Sequence, residues 1–182
     1  AWFEAIVHQL DPQARIQWKF QEGDWMQANT TVCEIDANAR ALLSAERPAM
    51  NFLQTLSYTA TITRQHVDAI AGVSPNPNGC ALLDTRKTLP GLRQAQKYAV
   101  RVGNGKNQRM ALWDGILIKE NHIAAAGSIT AALKAADALQ SGVDVQIEVE
   151  NIAELQEALS AGAKSILIDN FTLDQMREAV KI

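Results

Sequence analysis

GILIKENHIAAAGSITAALKAADALQSGVDVQIEVENIAELQEALSAGAKSILIDN, residues 115–170, carries the alternation that decides the fold. Short apolar runs at 115–118, 143–149 and 165–168 are separated by helical spacing at 128–139 and 152–161. The pattern extends outward to a run at 80–83 followed by a helix at 92–102, and to a last helix at 172–180. Strand-then-helix repetition predicts a parallel sheet, either closed as a β/α barrel or open and doubly wound. Each run ends in side chains capable of chemistry: Asp84 to Lys87, Lys119 to His122, Glu148 to Asn151, and Asp169 with Asn170. Sites in parallel α/β folds sit at the carboxyl ends of the strands, so four runs aim chemistry at one face. A barrel needs more strands than these, and further units are expected after Ile182; both ends of the sequence fall inside helical patterns.

Upstream the pattern differs. Residues 2–10 have amphipathic helical spacing, 16–20 alternate as a half-buried strand, Glu22-Gly23-Asp24 marks a turn, and 30–35 read as a second strand. From 40 to 70 the spacing is helical again, with Pro48 expected at a break or in a first turn. Trp2, Trp18 and Trp25 are expected to bury against the N-terminal sheet. The stretch GVSPNPNG at 72–79 is the clearest punctuation, which predicts one domain over 1–72, with a long linking helix, and a second over 79–182.

The chain has 182 residues, 47% of them hydrophobic, enough for a sizeable core. Seventeen basic against twenty acidic residues leave a net charge of −3, which excludes a global nucleic-acid footprint. No apolar stretch approaches a membrane span. Two distant cysteines, Cys33 and Cys80, form neither a metal motif nor a disulfide framework, which points to a cytoplasmic setting. Anion binding must therefore be local. Arg86-Lys87, Arg109 and Lys119 to His122 lie within forty residues, and cations at strand ends are costly unless an anion meets them. A polycarboxylate or highly phosphorylated substrate suits them.

The blocks ERPAMNFLQTLS (46–57), LLDTRKTLPGLRQAQKYAVRVG (82–103), LIKENHIAAAGS (117–128), IEVEN (147–151) and ILIDNF (166–171) stand in an order that resembles the quinolinate phosphoribosyltransferases. The resemblance implies an N-terminal α/β sandwich domain followed by an incomplete parallel β/α barrel, in a homodimer. It implies transfer of phosphoribose from phosphoribosyl pyrophosphate to quinolinate with Mg²⁺. The products would be nicotinate mononucleotide, pyrophosphate and CO2, a step of NAD synthesis.

Carried onto this sequence, the resemblance makes Arg86, Lys87, Arg109 and Lys119 ligands of the pyridine dicarboxylate. Gln108 and His122 are further substrate-binding candidates, and His122 serves equally well to hold its loop. The family pattern has three glycines before Asn-His-Arg; here Asn104 takes a glycine position and Gln108 the histidine position, and Gln108 can hydrogen-bond but carries no charge. Gly103 and Gly105 would let backbone N–H groups approach anionic oxygens. Glu148 and Asp169 match residues at the ribose and metal, where carboxylates stabilise an oxocarbenium-like charge or hold Mg²⁺. Glu150 alternates with Glu148 and is expected on the same side. Arg47 would reach into the partner's site. Tyr58 and Trp113, where small residues are usual in the family, read as packing changes.

Two other functions fit part of this pattern. A nicotinate phosphoribosyltransferase shares the ribosyl chemistry but needs fewer cations for its single carboxylate. A non-catalytic binding relative would keep the fold, and Asn104, Gln108, Tyr58 and Trp113 are the substitutions that favour it.

Overall fold

The computed structural model describes residues 1–77 and 79–182, in two compact units, Ala1–Gln108 and Arg109–Ile182. The punctuation at 72–79 lies inside the first unit, because the helix beyond it packs back onto the long helix before it; Asn78 is outside the described residues.

In the first unit, α1 (Trp2–Leu10) lays Phe3 and Val7 against α2 (Ala39–Ile70). Strands β1 (Arg15–Trp18) and β2 (Cys33–Asp36) pair antiparallel, Ile16 opposite Ile35. Asn38 caps α2 by accepting from the backbone N–H groups of Arg40 and Ala41. Pro48 neither breaks nor begins this helix. Ala45 and Ala49, both fully buried on either side of it, hold the two turns against the rest of the unit and outweigh the lost backbone bond. Of the tryptophans, only Trp18 approaches the expected burial, with its ring edge against Phe3 and its Nε1–H donating to Glu4 at 2.7 Å. That bond holds the Glu4 carboxyl below its ordinary range. Trp2 stacks on Phe52 but stays 45% exposed, and Trp25 is 60% exposed in the β1–β2 connection.

The run 80–83 does not become a strand. It makes one parallel bridge, Leu83 to Lys106; among the described residues the segment after α3 (Arg93–Val102) lies alongside, where the Lys106 N–H donates to the Leu82 carbonyl at 2.9 Å and the Asp84 N–H donates to the Lys106 carbonyl at 3.1 Å. Gly103 and Gly105 follow α3. A Cβ on Gly103 would stand 2.4 Å from the Ala60 carbonyl oxygen, and one on Gly105 would stand 2.7 Å from a Val100 methyl. Their N–H groups donate to Ala99 and Val100 carbonyls. These glycines serve close packing of α3 on α2 rather than anion approach. Asn104 between them has φ +65°, a conformation that asparagine tolerates where glycine is the usual occupant. Gly103→Ala is expected to cost about 1–3 kcal/mol by overpacking. Gly115→Ala, whose Cβ would meet nothing nearer than 3.5 Å, should be close to neutral. Thermal unfolding of the two variants checks the contrast.

The second unit is built on three parallel strands in the order β3 (Ile116–Ile118), β4 (Val145–Val149), β5 (Ile166–Ile168). A short helix that the sequence reading missed, α4 (Glu120–Ala126), follows β3 directly, and α5 (Ile129–Ala138) comes after Gly127, which turns with φ +91°. Helices α6 (Ile152–Ser160) and α7 (Leu173–Ala179) follow β4 and β5. Ser128, Asn151 and Thr172 cap α5, α6 and α7 through their side-chain oxygens, and the last two restart the chain within four residues of a strand end. Ile118, Ile147 and Val149 point to one face and pack with Ile129, Leu133, Leu155 and Ala158 of α5 and α6. The opposite face carries Leu117, Gln146, Glu148 and Leu167.

Candidate active site

Register places the chemistry of the second unit. Ile118, Ile147 and Ile166 form one row across the sheet, so Lys119, Glu148 and Leu167 form the next, and Asp169 lies one residue past the end of β5. Lys119 Nζ donates to both Glu148 oxygens at 2.7 Å. The Glu148 side chain is only 9% exposed, whereas that of Lys119 is 43% exposed. The carboxylate is therefore fixed within the sheet face, and the ammonium stands at its solvent edge. A buried carboxylate without such a partner would be strongly disfavoured.

Lys119 is also the residue that starts α4. Its backbone N–H donates to His122 Nδ1 at 3.0 Å, and the His122 N–H donates to the Lys119 carbonyl at 2.8 Å. Nδ1 is thus an acceptor, which puts the ring proton of the neutral imidazole on Nε2, available to a ligand. The structure shows His122 holding the loop through Nδ1.

Asp169 is exposed at the end of β5, tied by its N–H to the Val149 carbonyl at 2.9 Å, with Asn170 Nδ2 donating to its carboxylate at 3.2 Å. Glu150 is not on the strand that carries Glu148. It lies one residue past the end of β4, is exposed, and gives its backbone N–H to Glu154, because the chain has already turned into α6. Arg109 is half-buried and donates from Nη1 to the Gly115 carbonyl at 3.3 Å.

The first unit holds the other predicted residues. Arg86 and Lys87 follow Asp84 in a loop whose backbone is pinned: Lys87 N–H to Thr85 Oγ1 at 3.0 Å, and Arg93 Nη2 to the Arg86 carbonyl at 3.1 Å. Neither of the two side-chain cations has a carboxylate partner among the described residues. Gln108 gives its N–H to Asp84 Oδ1 at 2.9 Å and its carbonyl accepts from Lys97 Nζ at 3.0 Å. Arg47 stands exposed on α2, also without an ion pair among the described residues. Sequence reading passed over Lys97, which is 1% exposed and paired with Asp84. It stands one turn after Arg93 and on the opposite side of α3 from the buried Ala95 and Ala99, and a lysine on a helix reads as surface. Tyr58 and Trp113 are 68% and 79% exposed, and so are not packing changes in the core.

Residues 1–57 match the description "Quinolinate phosphoribosyl transferase, N-terminal domain" and residues 59–182 match "Quinolinate phosphoribosyl transferase, C-terminal domain". This chain belongs to the quinolinate phosphoribosyltransferase family. It is 43% identical over 163 residues to the probable nicotinate-nucleotide pyrophosphorylase (carboxylating) of Bacillus subtilis, covering 89% of this chain and 55% of that relative. With the probable nicotinate-nucleotide pyrophosphorylase (carboxylating) of Synechocystis sp. it is 40% identical over 178 residues, 97% of this chain and 59% of the relative. Among solved structures, the nicotinate-nucleotide pyrophosphorylase from Francisella tularensis matches with a TM-score of 0.90 at 42% identity, covering 98% of this chain and 62% of that one. This member of the quinolinate phosphoribosyltransferase family thus spans a little over half of the length of the relatives it matches. No helix among its described residues is long and apolar enough to cross a membrane.

Proposed function

We propose that the protein carrying this sequence transfers phosphoribose from phosphoribosyl pyrophosphate to quinolinate and releases pyrophosphate and CO2, leaving nicotinate mononucleotide. The observation that carries this reading is the Lys119–Glu148 pair: a half-exposed ammonium on a sunken carboxylate, at the carboxyl end of parallel strands. A ligand carboxylate can take over the exposed ammonium and release Glu148 to the reacting centre. Arg86, Lys87, Arg109 and Lys119 supply charge for the two quinolinate carboxylates, with Gln108 and His122 Nε2 as hydrogen-bond donors. Arg47, exposed and without an ion pair among the described residues, is supplied to the site of a second copy in a homodimer.

In this reading the pyridine nitrogen lone pair attacks the anomeric carbon as the bond from that carbon to the pyrophosphate oxygen breaks, and pyrophosphate leaves with the electron pair. Glu148 and Asp169 face the positive charge that builds on the ribose. The ring nitrogen is then a cation. The bond to the adjacent carboxylate breaks, its electrons settle on the ring carbon beside that nitrogen, CO2 departs, and the carbon takes up a proton.

No group of three or more metal-ligating side chains occurs among the described residues. The hard carboxylate oxygens of Asp169 and Glu148 would hold Mg²⁺. Magnesium would neutralise charge on the leaving pyrophosphate. The two-faced sheet supports a partial β/α barrel: its apolar face is sealed by helices and its polar face is left for an interior. Two unpaired thiols, Cys33 and Cys80, suit a cytoplasmic setting.

The test is product formation by the full-length polypeptide with Mg²⁺ and phosphoribosyl pyrophosphate, offered quinolinate or nicotinate. Nicotinate mononucleotide with CO2 from quinolinate alone is expected. Product from nicotinate would move the assignment to the monocarboxylate enzyme, and no product from either would leave a binding protein.

A further inference from the structure

Asp84 and Lys97 form a buried ion pair that the chemistry above does not use. The two side chains are 7% and 1% exposed. Asp84 also accepts from Asn107 Nδ2 at 2.5 Å and from the Gln108 N–H at 2.9 Å, while Lys97 donates to the Gln108 carbonyl at 3.0 Å. Asn107 is fixed in turn, donating to the Lys97 carbonyl at 2.9 Å and accepting from Arg101 Nη1 at 2.6 Å. Both polar groups of the Gln108 backbone are therefore held by the pair, one peptide before Arg109. On its other side Asp84 stands two residues before Arg86, whose carbonyl is held by Arg93 of the same helix, α3.

We infer that Asp84 and Lys97 are positioning residues that set the Arg86-Lys87 loop and the entry to Arg109 in one geometry, and thereby determine affinity for a dicarboxylate. The inference rests on the functional reading above. Two physical points favour it. A buried ion pair adds little stability over apolar side chains of the same volume, so its value lies in geometry. Lys97 also neutralises the one carboxylate near enough in sequence to draw Arg86 or Lys87 away from an external anion, and no carboxylate pairs with either among the described residues.

The experiment uses the full-length protein as wild type, as the charge-neutral double variant Asp84→Asn/Lys97→Met, and as Asn107→Ala, which keeps both charges but removes the bonds to the second Asp84 oxygen and to the Lys97 carbonyl, so that the pair is no longer fixed in one place. Calorimetric dissociation constants for quinolinate and for phosphoribosyl pyrophosphate are measured separately, with kcat at saturating substrate and circular dichroism of each variant. The double variant should bind quinolinate about 30-fold more weakly, since a displacement near 1 Å in a charge-matched site costs on that order. Its binding of phosphoribosyl pyrophosphate and its kcat should stay within about threefold, a split that loss of fold would not give. A folded double variant with wild-type affinity for quinolinate overturns the inference. Where the double variant does not fold, Asn107→Ala decides: about tenfold weaker quinolinate binding supports positioning, and unchanged binding overturns it. A wild type that neither binds nor converts quinolinate sinks the functional reading itself, an outcome read without any variant.

Discussion

Replacing Lys119 by alanine is expected to lower kcat/KM for quinolinate about 150-fold or more, equivalent to about 3 kcal/mol of lost transition-state stabilisation. Two losses add. The substrate carboxylate loses its ammonium, and Glu148, with its side chain only 9% exposed, loses the partner that offsets its burial. The second loss is structural, and the variant Lys119→Ala/Glu148→Gln separates it: neutralising Glu148 should return stability while activity stays low. Steady-state kinetics and thermal unfolding on the same preparations read the two losses independently. A Lys119→Ala enzyme with near-normal turnover and affinity would remove Lys119 from the site.

The second large effect concerns stability. Lys97→Met keeps the length of the side chain but leaves Asp84 as a buried charge with only neutral donors, Asn107 and the Gln108 N–H. Breaking one side of such a pair costs about 3–5 kcal/mol. Unfolding in denaturant should show the midpoint fall with little change in slope, since the surface exposed on unfolding is the same. Adding Asp84→Asn should recover much of the loss, because an amide oxygen still accepts from Gln108 and no charge remains. A single variant as stable as the wild type would show that Asp84 is solvated, contrary to its 7% exposure.

The second unit was legible in the sequence because β-strands with helix-capped exits leave a strong local trace. The run at 145–149 falls between the Ser128 and Asn151 caps and the ILI run at 166–168 between the Asn151 and Thr172 caps, and both the strand type and the strand ends could be read from them. Two kinds of information were not local. Residues 80–83 have the composition of a strand but, among the described residues, no neighbour that bridges more than one of them, and pairing is a tertiary property. The glycines around Asn104 suggested an anion loop from chemistry alone, whereas their demand is steric and comes from Ala60 and Thr63, some forty residues earlier in the chain. The same holds for the site. Lys119 and Glu148 could be named from their places at strand ends, but that they hold each other could not. Lys97 was hidden because only the fold reveals that a helical lysine faces inward to Asp84.

The alternation along β4 has one more consequence. Ile147 and Val149 belong to the helix-packed side while Gln146 and Glu148 belong to the other, so even and odd positions answer to different demands. A change at an odd position is judged by the volume it fills, and a change at an even one by the ligand it meets. Neighbouring residues can therefore drift separately, and a lineage can trade one ligand for another without first rebuilding the interior that keeps the sheet in register.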